Sequence, residues 1–118
     1  MSSSIEIALI HVRRGEILEV IEGGGPSERL EGFAAAVPEI FATDRISWEL
    51  VFGQVRPEAG TLGLEDLVLV SEGYVHVAAR LPEEPLLALL TVAPREGAVG
   101  LILASARARL ESVREARR

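Results

Sequence analysis

The chain has no cysteine and no lysine, and one tryptophan, one tyrosine and three phenylalanines are all its aromatics. Without cysteine there is no disulfide, no thiolate metal site and no thiol nucleophile, a composition that suits a reducing cytosol. Long apolar runs are missing too: none approaches the ~20 residues that span a bilayer. The opening Met1-Ser2-Ser3-Ser4-Ile5-Glu6 has no basic stretch leading into an apolar one. The sequence therefore predicts a soluble, cytoplasmic protein with no membrane insertion. At 118 residues it reads as one domain, 1–118, and a domain of this size buries roughly two-thirds of the surface its unfolded chain exposes.

All twelve basic residues are arginine, a choice that fits a GC-rich bacterial genome, and they face eighteen acids. The imbalance is uneven. Residues 1–106 hold seven arginines against sixteen acids, a net −9, whereas 107–118 hold five against two, a net +3. Most of the surface should repel phosphate, so nucleic acid is disfavoured as a partner. The basic tail reads as a solvated helix end whose arginines complement the negative end of the helix dipole.

Residues 5–12 and 16–22 are rich in Ile, Leu and Val, with Arg13-Arg14-Gly15 between them, a good hairpin signal. Gly23-Gly24-Gly25-Pro26 ends this hairpin, and a helix is expected from about Pro26 to Val37, with Pro26 in its first turn and Pro38 ending or kinking it. Trp48, Val51, Phe52 and Val55 fall at helical spacing behind a possible Asp44 cap, as satellite core, and residues 56–63 read as a loop. Leu67–Val70, the turn Ser71-Glu72-Gly73 and Tyr74–Leu81 make a second hairpin. After the loop Pro82-Glu83-Glu84-Pro85 comes the strand Leu86–Val92, which does not alternate and should be central, buried on both faces. Pro94 and Gly97 break it. A final helix places Val99, Ile102, Leu103, Ala106, Leu110 and Val113 on one face.

No motif states a reaction. Strand, triple glycine, helix suggests a phosphate cradle, but a P-loop also requires a lysine to reach the terminal phosphates, and Glu22 and Glu28 flank the glycines. His11 and His76 lack a third ligand at a recognisable spacing, so no metal site is expected. No nucleophile is paired with a base, and no acid and base face a cleft. The chain is expected to be no enzyme and to carry no cofactor.

The run Leu67-Val68-Leu69-Val70-Ser71-Glu72-Gly73-Tyr74-Val75-His76-Val77 and the stretch from Leu86 through Pro94 and Gly97 to Leu101 resemble the Roadblock/dynein light chain family. The resemblance covers roughly residues 5–37 and 64–113. It implies an α+β fold with a five-stranded antiparallel sheet of order 2-1-5-4-3, a central helix on one face and terminal helices on the other. Only residues 1–4 precede the first strand, so the usual first helix is expected to be missing or vestigial, and approximately 38–63 reads as an insertion. With apolar residues on both faces of the first strand, something must cover the vacated face: a Trp48 helix folding over, or a partner protein.

The family consists of regulatory and scaffolding modules. In known members the third strands of two subunits pair and their central helices pack, which here implies a homodimer through Leu67, Val68, Leu69 and Val70 together with Ala34 and Ala35 of the small-residue run 34–36. Several bacterial relatives regulate or recruit small Ras-like GTPases, and eukaryotic ones scaffold dynein or lysosomal signalling complexes. The expected function is thus a non-enzymatic homodimeric adaptor for a small Ras-like GTPase, with Glu28, Arg29 and Glu31 as candidate partner-binding residues. The alternatives are a structural scaffold subunit without a GTPase and a profilin-like small-molecule sensor.

Overall fold

The computed structural model describes residues 5–39, 66–71, 73–95 and 99–117, with backbone alone at 66 and 67. Trp48 and its helical neighbours, the 56–63 loop and most of the 38–63 insertion lie outside the described residues.

Strands β1 (Glu6–His11) and β2 (Glu16–Glu22) form the first hairpin. Gly15 takes φ of 64° in its turn and donates its N–H to the His11 carbonyl at 2.9 Å; side chains rarely tolerate that backbone angle. His11 serves the same turn, its Nδ1 accepting from the backbone N–H groups of Arg13 and Arg14, each at 3.3 Å.

The next element is helix α1, whose described part spans 28–39. Ser27 Oγ accepts the Leu30 N–H at 3.1 Å, three residues on, which makes Ser27 the cap and puts Pro26 ahead of the helix instead of in its first turn. Pro38 does not end the helix at the described residues either. Val37 is fully buried, and that packing holds the chain helical past the proline at the cost of one backbone hydrogen bond.

Strands β3 (Asp66–Val70), β4 (Tyr74–Leu81) and β5 (Glu84–Pro94) complete an antiparallel sheet of order β2-β1-β5-β4-β3. β5 is longer than expected at both ends. The loop before it shrinks to Pro82-Glu83, because the register slips between Arg80, opposite Ala88, and Leu81, opposite Glu84. Residues 85–87 form the bulge, which accommodates Pro85 where no regular ladder N–H is required. Residues 88–93 are buried without a break, as a central strand requires.

Leu30, Phe33, Ala34 and Val37 of α1 pack on Ala8, Ile10, Ala78, Ala88, Leu90 and Val92 of one sheet face. The other face is covered by helix α2 (Val99–Ala116). Leu110 and Val113 close over Ile7, Leu9, Leu81 and Leu89, while Val99, Ile102, Leu103 and Ala106 close over Val75 and Val77. Among the described residues, the cover of that face of strand 1 comes from the chain's own last helix.

The end of α2 is fastened by ion pairs. Arg114 engages Glu83 and Glu111, Arg117 engages Glu84, and Arg109 meets Glu22 at 2.6 Å. Glu83 and Glu84, read from the sequence only as loop residues, are the anchor for the basic tail.

Candidate interaction surface

The sheet has two edges, and they differ. β2 carries Glu16, Glu19 and Glu22, one at every third position, with Leu18 exposed between them, and its register against β1 slips twice, between Ile7 and Ala8 and between Leu9 and Ile10. Charge and bulges are the usual guards against edge-to-edge association. β3 has neither over its described side chains. It pairs with β4 in unbroken register from Asp66 to Val70, and Val68, Leu69 and Val70 are 40%, 41% and 47% exposed. Its outer side has no strand beside it among the described residues.

Cross-strand register sorts these side chains by face, since directly opposed residues share one. Leu69 stands opposite His76, on the α1 side, while Val68 and Val70 stand opposite Val77 and Val75, on the α2 side. Both faces of the β3 margin are thus apolar.

Helix α1 runs beside that margin. The Phe33 ring meets His76 in an edge-on contact at 5.1 Å, and the Arg29 guanidinium lies 3.7 Å above the Tyr74 ring, a cation–π contact. Along the outward side of the helix Glu28, Gly32 and Ala35 are exposed, at helical spacing. A Cβ at Gly32 would meet nothing within 4 Å. Ala34 turns the other way: it is 1% exposed and belongs to the chain's own core, so close approach of a second helix falls to Gly32 and Ala35.

The sequence-predicted residues therefore divide. Val68, Leu69 and Val70 reach the surface along β3, Leu67 is placed there by backbone register alone, Ala35 is exposed on α1 with its Cα close to the Gly15 turn, and Ala34 is buried in the core. Glu28 and Glu31 are exposed on α1, whereas Arg29 is engaged by Tyr74. Gly32, Tyr74 and His76 join the surface without having been singled out for it. The alternation Tyr74-x-His76 along a strand was the available signal for the latter two.

His76 is half-buried, and its Nδ1 is buried without a hydrogen-bond partner. Burial lowers its pKa from the ordinary histidine value, and the Arg29 charge lowers it further against an opposing contribution from the Leu69 backbone. β5 separates β4 from β1 and hence His76 from His11. Among the described residues no group of three or more His, Cys, Asp or Glu could hold a metal, and no described helix is long and apolar enough to cross a membrane.

An antiparallel sheet of this order, with the helix between β2 and β3 on one face and the helix after β5 on the other, defines the Roadblock/LC7 fold. The chain is similar to MglB solved with a tetrameric arrangement, at 17% identity over 92% of this chain and 74% of that one, with a TM-score of 0.67. The Roadblock/LC7 domain from Streptomyces avermitilis matches at 16% identity over 98% and 85%, TM-score 0.65. The gliding protein MglB from Thermus thermophilus matches at 18% over 91% and 72%, TM-score 0.63. At such identities the likeness is one of fold. No protein-family model and no curated protein matches the sequence.

Proposed function

We propose that this protein is a non-catalytic homodimeric adaptor that binds or regulates a small Ras-like GTPase. The observation that carries the reading is the contrast between the two sheet edges: β2 is acidic and bulged, while β3 is regular and apolar beside a helix whose outward line holds Gly32 and Ala35. An unguarded edge of this kind is a template for a second strand, and the small residues allow a second α1 to lie close. That one Roadblock-fold relative is described in a tetrameric arrangement supports self-association as a habit of the fold.

The GTPase is the partner class that the Roadblock resemblance implies. A regulator needs no phosphate site of its own; it needs a surface that binds one nucleotide state of the partner better than the other, and it shifts the partner's switch by that difference. Glu28 and Glu31, exposed at the start of α1, are the candidate contacts.

Light scattering at micromolar concentration tests the first part: the wild type is expected to run as a dimer and Leu69→Lys as a folded monomer. Calorimetric titration with a Ras-like GTPase of the same cell, loaded with GTP or GDP, tests the second. A monomeric wild type removes the dimer, and equal or absent binding to both loaded forms removes the regulator. Micromolar binding of free nucleotide by this chain alone would contradict an adaptor that acts only through its surface.

A further inference from the structure

We infer that the α1–β3 margin closes on a second copy of this chain only while His76 is neutral, so that mild acid weakens the dimer. The inference rests on the dimer proposed above and concerns the regulation of that same surface. His76 stands opposite Leu69 of the edge strand and opposite Val92 of β5. The Phe33 edge meets it from α1, and Tyr74 flanks it at 6.3 Å. Its Nδ1 is already shut off from water without a partner, and its register partner Leu69 belongs to the edge strand at which a second β3 would arrive.

The one charge shown to act on the ring is that of Arg29. Arg29 approaches from α1, and Arg80 lies further along the same face of β4. Leu69 of β3 and Val92 of β5 add none, and Asp66 occupies a register position of the other face, opposite Ala79. Glu28 and Glu31 lie exposed on α1. Burial disfavours the imidazolium in the single chain, and it and Arg29 together outweigh the Leu69 backbone hydrogen bond that favours it. A second copy laid over Leu69 removes more water from the ring, so the dimer binds the proton less well than the monomer does. By linkage, dimerisation is at full strength where the ring is neutral in both forms, and it weakens once the pH falls below the monomer's value.

The dimer dissociation constant, measured by sedimentation equilibrium at about pH 7.5 and about pH 5.5, reads the effect directly. We expect it to rise about tenfold on acidification, the change that about half a unit of difference in pKa at each of the dimer's two His76 rings produces. His76→Phe, which keeps a ring against Phe33, is expected to abolish the rise while remaining dimeric at both values. A wild-type dimer of constant or tightening affinity overturns the inference and leaves the dimer standing; tightening would mean that Glu28 or Glu31 of the second copy reaches the imidazolium. A rise that persists in His76→Phe overturns it as well. Loss of the far-UV circular dichroism signal at the lower pH would assign the proton's effect to the fold and overturn the inference in the same way. A monomer already at about pH 7.5 removes the dimer itself, and the inference with it.

Discussion

The Glu6 carboxylate holds Ser27 at two points, one oxygen accepting the Ser27 hydroxyl at 2.6 Å and the other its backbone N–H at 3.1 Å. Ser27 in turn caps α1 through the Leu30 N–H. A strand residue thus fixes where the central helix begins, twenty-one positions away in sequence. Ser27→Ala removes the cap and leaves one Glu6 oxygen short of its donor in a half-buried site, the other keeping the backbone N–H, and we expect a loss of about 1–2 kcal/mol in urea denaturation. Glu6→Gln should cost about 1 kcal/mol, and the double variant should cost less than the sum because the two groups act together.

Gly15 is the second fixed point between the first hairpin and α1. A Cβ there would lie 2.8 Å from the Ala34 carbonyl oxygen and 3.0 Å from the Ala35 Cα, both backbone atoms that cannot rotate aside. Pro38 has no N–H to offer that carbonyl, so the turn packs against a helix acceptor without its usual donor. Gly15→Ala combines this clash with a positive φ, and about 2 kcal/mol of destabilisation is expected in denaturant titration. Gly24→Ala, with nothing within 4 Å of the new carbon, should change stability by less than about 0.5 kcal/mol.

Both hairpins, the buried fifth strand and the packing face of α2 were legible in the sequence because each is written in local periodicity. The strand order came from the family resemblance, since no period of apolar residues states which strands are neighbours. What stayed hidden depends on meetings across long separations. Glu6 with Ser27, and Glu83 and Glu84 with Arg114 and Arg117, each look like ordinary surface residues until the fold brings them together. The same holds at the candidate margin: three consecutive alanines could not reveal that Ala34 faces inward and Ala35 outward, because that phase is set by Phe33 and Val37 on the sheet.

The ion pairs at the end of α2 should respond to salt and to acid in a definite order. Arg117 holds the Glu84 carboxyl below its ordinary range, chiefly by hydrogen bonding. A depressed carboxylate contributes above its unfolded value and is lost only as pH falls through the lowered one, so the latch persists from neutral pH down through the ordinary glutamate range and opens only in stronger acid. Because the pairs are exposed, screening at about 1 M salt should loosen them at neutral pH. Hydrogen exchange is expected to show faster turnover of the amides from Val113 to Arg117 under either condition. Arg117→Gln should reproduce the loosening in low salt and blunt its salt dependence, with little change in global stability.

Gly32 separates what the single chain needs from what a second copy needs. The position is exposed, its φ is ordinary, and an added Cβ meets open space, so the monomer has no steric use for glycine there. In an isolated helix the residue costs about 1 kcal/mol relative to alanine. Gly32→Leu should therefore leave the fold as stable as the wild type or more so, since Leu is also a good helix former. It should nonetheless push two α1 helices apart where Gly32 and Ala35 would let them touch. The expected result is a folded chain with unchanged or raised midpoint in urea and a dimer dissociation constant at least about tenfold higher, a loss of about 1.4 kcal/mol in association. A variant that is more stable and dimerises as tightly as the wild type would show that α1 does not lie in the interface, and would leave β3 alone to carry it.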